Sequence, residues 1–271
     1  MNKDGKPTFA KVFAASQMLH RHGVPFNSLT VVNRRNARRP KDVYRFLRDE
    51  VNPRQMQFIP GLEPKVFHTV APQKWDPESL PLYNSPGAHP GNPESVVTDW
   101  SVDPDDWGYF LCRVWDDWLR HDLGKVFVNL FETAVAQWSG QDAQICVYHE
   151  FCGKGVALEH DGSLYSCDHY VYPEYKLGNI MGRSSSRMVF SDEQMQFGMN
   201  KFTSLPKMCR QCDFLFACNG ECPKNRLIRT PDGEPGLNYL CSGLMRFWKH
   251  IDSDAKELAR CIAQGLPFKP R

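Results

Sequence analysis

Apolar residues recur at helical spacing along residues 8 to 22, where Phe9, Val12, Phe13 and Leu19 share a face, Thr8 stands at the capping position and Gly23 follows. Residues 25 to 33 (PFNSLTVVN) change to a β-rich composition. A short helix then starts at Pro40, with Val43, Phe46 and Leu47 on one side, and QMQFIP at 55 to 60 reads as a second buried strand. Strand alternating with helix predicts parallel β/α units. Two such units cannot close a barrel, because even the smallest barrel needs several more strands to satisfy its edges. The first part of the chain is therefore expected to be an incomplete barrel, with an exposed β-edge and a bare apolar face on residues 8 to 60.

Residues 61 to 102 are rich in Pro, Gly, Asn and Ser and read as a long surface loop with little regular structure. An acidic start followed by Phe110, Leu111, Val114, Trp115 and Trp118 predicts a helix from Asp103 to His121 that buries Cys112, and KVFVNLF at 125 to 131 reads as a strand. In VALEHDGSLYSC (156 to 167), Asp161-Gly162 separates two alternating runs and predicts a tight hairpin that delivers Cys167 to a defined place. A helix near 191 to 201, an irregular cysteine-dense stretch from 207 to 223 and an amphipathic helix from about Gly243 to Gln264 complete the chain. The expected division is into residues 1–140 and residues 141–271.

Composition narrows the class. A chain of 271 residues with 41% hydrophobic content can bury a real core, and a net charge of +2 argues against nucleic acid or an acidic membrane surface as partner. The basic run Arg34, Arg35, Arg38, Arg39 is local and reads as a solvated start of a helix. No stretch reaches the roughly 18 consecutive apolar residues of a membrane span, and MNKDGKPTF lacks a signal core, so a cytoplasmic location is expected.

Ten cysteines in a chain of this length without an export signal point away from disulfides. Eight of them lie between residues 146 and 241, spaced C-x5-C-x14-C (Cys146, Cys152, Cys167) and C-x2-C-x5-C-x3-C-x18-C (Cys209, Cys212, Cys218, Cys222, Cys241). Cysteines placed for packing would follow helix or strand periodicity; these do not, and eight thiolates make two complete four-ligand sets. Zinc and iron–sulfur both accept four thiolates, so the donor type alone leaves the metal open, with spacing favouring clusters modestly.

The whole cysteine series, YSCDH (165 to 169), CNGECPKNR (218 to 226) and GLNYLC (236 to 241) resemble the SPASM twin-cluster domain of radical S-adenosylmethionine enzymes, and among these the anaerobic sulfatase-maturating enzymes. GKPTF (5 to 9), FNSLTVVN (26 to 33) and QFIPGLEP (57 to 64) resemble the later β/α units of that family's partial barrel. The implied fold is α/β: the C-terminal part of a radical SAM partial β/α barrel, then a small α+β SPASM domain with two [4Fe–4S] clusters. The resemblance groups Cys222 with Cys146, Cys152 and Cys167, and completes the other set of Cys209, Cys212 and Cys218 with Cys241. Full ligation by thiolates favours electron transfer for both clusters. The implied substrate is a sulfatase polypeptide whose active-site cysteine or serine becomes formylglycine, with a reducing electron-transfer protein as further partner. Asp168 matches the position of the family's base, and a carboxylate beside a charged cluster is expected to have a raised pKa; an aspartate there also serves to cap a turn. Leu62 matches a position that contacts the adenosyl group, and His169 reads as structural.

The motif that defines radical SAM enzymes, C-x3-C-x2-C, is absent, since position 225 after Cys218 and Cys222 is Asn. So is the family's early glycine-rich GGE segment. The expectation is a chain that lacks the start of the barrel and does not cleave S-adenosylmethionine alone, the third cluster and S-adenosylmethionine belonging to a full-length form. Rival readings are a twin-cluster electron-transfer or peptide-binding module serving a separate radical-generating chain, a maturase of another peptide, and a zinc-stabilised interaction domain.

Overall fold

The computed structural model describes residues 5–269. Helix α1 (Phe9–Arg21) follows Thr8, whose side chain makes no capping bond, and leads into strand β1 (Asn27–Val32). Helix α2 (Pro40–Arg45) has proline in its first turn, runs on through a wider π-type turn at Phe46–Val51 and ends on Asn52 in the left-handed region, φ 44°. Strand β2 (Gln55–Pro60) pairs with β1 in parallel, from Asn27↔Gln55 to Val32↔Pro60. These are the β/α units read from the sequence. Strand β1 is the edge of a three-stranded sheet, and Leu29 and Val31 on it are 69% and 50% exposed. Phe9 and Val12 of α1 are exposed as well. The anticipated bare apolar face is present.

Helix α3 (Pro104–His121) starts where the Asp103 carboxylate accepts from the Asp105 N–H, and it buries Trp107, Phe110, Leu111, Val114, Trp115 and Trp118. After it the expected strand is cut short. It is reduced to β3 (Phe127–Val128), which pairs with the other edge of β2, and helix α4 (Asn129–Trp138) takes over because Leu130, Phe131, Ala134 and Val135 recur at helical spacing and are buried. The alternation in VFVNLF was local to six residues and lost to that longer period.

The hairpin forms as read: β4 (Ala157–Leu158) and β5 (Ser163–Tyr165) flank Gly162 at φ 81°, and Asp161 accepts from the Ser163 N–H. Strand β6 (Lys176–Asn179) adds to β5. Two helices follow, α5 (Ser185–Val189) and α6 (Asp192–Thr203), the latter capped by the Ser191 hydroxyl. Single turns α7 (Lys207–Arg210) and α8 (Leu215–Cys218), the pair β7 (Ile228–Arg229) and β8 (Pro235–Leu237), and the long helix α9 (Cys241–Gln264) complete the fold.

One apolar core runs from Val32 to Leu258 without a break near residue 140. Its centre is aromatic: the rings of Trp115, Trp118, Phe131, Phe247 and Trp248 meet tilted or edge-on with centroids 4.9 to 6.2 Å apart and lock α3, α4 and α9 together. Helices α3 and α9 meet at Gly108 and Gly243, where a side chain on either would strike the other helix's backbone. Residues 61 to 102 hold only short 3-10 turns, yet they are not a surface loop. Ala71, Ala88, Val97 and Val102 are buried, and Tyr83 and Arg229 exchange backbone hydrogen bonds with one another's neighbourhoods across to β7. Among the described residues no helix is long and apolar enough to cross a membrane.

Candidate metal centres and the cleft beside them

Cys209 lies on α7, Cys212 just beyond it, Cys218 closes α8 and Cys241 opens α9. All four face one void of about 40 Å³, walled by Met208, Leu215, Leu244, Met245 and Trp248. Burial pushes the Cys209 thiol up to about 11 and Cys218 to about 12, and lifts Cys241 further. Each of the neighbouring sulfurs adds to the rise at Cys241. Thiolates crowded into an apolar pocket repel one another and lose hydration; a soft polycationic group removes both penalties.

The other cysteines meet on the opposite side of the Cys218 turn. Asn219, Gly220 and Glu221 have φ of 46°, 69° and 49°, three successive left-handed residues. This reversal separates Cys218 from Cys222. Two of the three are not glycine, and the strained Glu221 is held by Asn225 and Asn238, whose amides donate to its Oε2 at 2.9 and 2.7 Å. The Cys222 sulfur lies 3.8 Å from His169 Nδ1 and feels the charge of Cys167, which in turn feels Cys146, as does Cys152. The structure thus brings Cys146, Cys152, Cys167 and Cys222 into one neighbourhood and Cys209, Cys212, Cys218 and Cys241 into another.

Several residues missed in the sequence hold the first neighbourhood. The buried Lys201 ammonium donates to the carbonyls of Cys146, Val147 and His149 at 2.6, 2.8 and 2.5 Å. Gln194 Nε2 donates to Gly153 O and Ser166 O, joining the Cys152 loop to the strand that delivers Cys167. Both look like ordinary polar positions of an amphipathic helix, so no local signal distinguishes them. Gly198 is a third case: a Cβ there would collide with the Cys152 carbonyl. Gly198→Ala is expected to displace the Cys152 loop and to lower iron uptake at the first site while sparing the second, read by iron content and electron paramagnetic resonance after anaerobic reconstitution.

Among the described residues the only three donor groups within 4.8 Å of one another are Cys167, Asp168 and His169. A single tetrahedral zinc with Zn–S near 2.3 Å draws its sulfurs to about 3.8 Å apart. Among the described residues no three sulfurs of either set lie within 4.8 Å of one another.

Beside the first set lies a cleft of about 400 Å³ lined by Leu62, Phe67, His68, Trp75, Asp168, His169, Tyr172 and Lys224. Leu62 and Asp168, 106 positions apart, are brought to one cavity. Leu62 reaches it from the C-terminal end of β2, the end at which β/α sheets place their sites. Asp168 is fixed by the hairpin, and the Cys167 thiol donates to its Oδ1 at 3.1 Å. Burial pushes the Asp168 carboxyl up, while the Cys167 thiol and His169 pull it down, and in the polypeptide alone the balance lies below the usual carboxylate range. His169 is pushed down by burial and by Lys224. The roof is residues 67 to 73, pinned by three tyrosines: Tyr172 donates to Phe67 O at 2.5 Å, Tyr175 to Pro72 O at 2.6 Å and Tyr170 to Gln73 Oε1 at 3.3 Å. A more open depression of about 590 Å³ at the other end of the sheet, by Pro25, Arg54 and Phe127, holds no nucleophile, acid or base.

Residues 146–213 match the SPASM family, described as an iron-sulfur cluster-binding domain. The chain is 43% identical over 254 residues to a serine-type anaerobic sulfatase-maturating enzyme of Bacteroides thetaiotaomicron, covering 92% of this chain and 57% of that protein. It is 27% identical to a cysteine-type anaerobic sulfatase-maturating enzyme of Clostridium novyi, covering 97% of this chain and 63% of that one. A solved structure described as native anSMEcpe with bound AdoMet and Cp18Cys peptide superposes with a TM-score of 0.75 at 25% identity, over 96% of this chain and 64% of the other. The chain spans about 57% of the length of the first of these relatives. In sequence and in fold, with β/α units leading into a SPASM domain, the chain is similar to the anaerobic sulfatase-maturating enzymes over nearly all of its own length.

Proposed function

We propose that this chain supplies the substrate-orienting and electron-accepting part of an oxidoreductase that converts an active-site cysteine or serine of a sulfatase polypeptide to formylglycine. The observation that carries this reading is the cleft, where Leu62 from a strand end and Asp168 from the cysteine-bearing hairpin face one cavity of about 400 Å³. That volume suits one residue of an extended segment with its flanking backbone, not a folded domain. Leu62, Phe67 and Trp75 form an apolar wall that excludes water and orients the side chain to be oxidised. Asp168 accepts the proton of its thiol or hydroxyl as the β-hydrogen is removed. Cys146, Cys152, Cys167 and Cys222 would hold one [4Fe–4S] cluster, and Cys209, Cys212, Cys218 and Cys241 the other. When bound, the clusters supply one-electron transfer. A reducing electron-transfer protein completes the circuit, and the radical itself requires S-adenosylmethionine and a C-x3-C-x2-C motif that these 271 residues do not contain.

The test is iron and sulfide content after anaerobic reconstitution, about eight iron atoms per chain being expected. Cys222→Ala should lose the first cluster before the second, and Cys241→Ala the reverse. Loss of the second cluster alone in Cys222→Ala would refute the grouping. A colourless protein holding zinc would sink the redox reading. For the substrate, a short cysteine- or serine-bearing sulfatase peptide should slow amide exchange at residues 67 to 75; no protection there removes the cleft assignment.

A further inference from the structure

Between the two cysteine neighbourhoods sits a buried arginine that the reaction does not use. Arg226 is 4% exposed. Its Nη1 donates to Ser204 Oγ at 2.8 Å and its Nη2 to the Lys201 carbonyl at 2.6 Å, while its Nε–H is buried without a partner among the described residues. A guanidinium cannot shed its proton to escape such a place, so the charge stays. Gly220, which lines the second cysteine pocket, lies directly against it: a Cβ on Gly220 would come within 2.8 Å of Nη2.

The charge balance around it is unfavourable as the polypeptide alone supplies it. Arg226 and Lys201 are both buried, each repels the other, and Glu221 is the buried carboxylate nearby, itself engaged by Asn225 and Asn238. Burial works against the charged form of Arg226, whereas the sulfurs of Cys209, Cys222 and Cys218 work for it. Those sulfurs belong to both sets. A buried, partly unpaired cation persists when its anionic partner is another group bound in the same place. A [4Fe–4S]²⁺ core with four thiolates carries about two negative charges, and hydrogen bonds and cations next to the sulfurs raise a cluster's reduction potential.

Resting on the two-cluster reading above, we propose that Arg226 is the shared counter-charge of the two clusters: it is clamped between them by Ser204 and Lys201, its free Nε–H is directed at a cluster sulfur, and its positive charge raises both reduction potentials. It is a positioning residue that sets the ease of passing an electron from one cluster to the next, without touching substrate. Lys201 shapes the seat through its carbonyl and ties down the Cys146 loop with its ammonium.

The experiment compares Arg226→Met, Arg226→Lys and Ser204→Ala in the anaerobically reconstituted protein, measuring iron and sulfide first and then the ratio of reduced to oxidised cluster by electron paramagnetic resonance at fixed potentials set with dithionite. With iron and sulfide intact, Arg226→Met should lower that ratio about tenfold for both clusters, a shift of about 59 mV for a one-electron couple. Arg226→Lys, which keeps the charge, should stay near the parent, and so should Ser204→Ala, which removes only an anchor. An unchanged ratio in Arg226→Met, or an equal fall in Ser204→Ala, overturns the proposal. If Arg226→Met takes up no iron, Arg226→Lys decides: full iron and a parent-like ratio support the charge role, and a tenfold fall with full iron overturns it. Absence of iron and sulfide in the unsubstituted chain would instead be a failure of the cluster reading itself.

Discussion

Gly243→Ala is expected to lower the melting temperature by about 8 °C, corresponding to ~3 kcal/mol for a chain of this size. In an exposed helix the same change would stabilise by about 1 kcal/mol, because alanine is the better helix former. Here the sign reverses. A Cβ on Gly243 would overlap the Pro104 carbonyl and come within 2.9 Å of the Gly108 N–H, and both are backbone atoms of a helix that cannot rotate aside. Helices α3 and α9 would have to separate, opening the aromatic core formed by Trp115, Phe247 and Trp248. Because Cys241 is the first residue of α9, the second cysteine pocket should lose iron along with stability. Gly182→Ala, at a glycine with no atom within 4 Å of the added methyl and no positive φ, is the control and should melt like the parent. A Gly243→Ala variant that melts at the parent temperature would show that the helices can part without loss.

Lys201→Met is expected to be of similar size, about 3 kcal/mol, for a different reason. The methionine fills the volume but leaves the carbonyls of Cys146, Val147 and His149 without their donor, and each buried unsatisfied group costs about 1–3 kcal/mol unless water reaches it. The loop at 146 to 149 should open first. Hydrogen exchange should quicken over residues 146 to 152 before any change in α3 or α4, and uptake of the first cluster should weaken while the second forms normally. Uniform protection with a parent-like melting temperature would mean that the three bonds are redundant.

Much of this site was legible from residue order. Eight thiols off any packing period signalled metal whatever the fold. The Asp161-Gly162 pair announced the hairpin that carries Cys167 and Asp168, because Gly162 takes up the left-handed backbone that so short a loop needs. Helix α3 was readable from end to end, since Asp103, Pro104 and a broad apolar face all favour the same structure. Helix α4 was not, because VFVNLF satisfies a strand period over a short span and only burial of the following turns decides between the two. The division near residue 140 marks a change in composition; the core crosses it because α9 lies along α3.

What the amino-acid order determined by itself is the chemistry on offer: which donors exist, how they are spaced, and which short turns present them. Only the tertiary structure decided how they are shared. Cys218 and Cys222 are four residues apart and face different neighbourhoods because three left-handed residues reverse the chain between them, a conformation that Glu221 holds only with Asn225 and Asn238 gathered around it. Lys201, Arg226 and Gly198 owe their roles wholly to what lies across from them. Spacing along the chain carries local geometry, whereas burial, close backbone approach and the sign of a neighbour's charge depend on residues brought together from far apart.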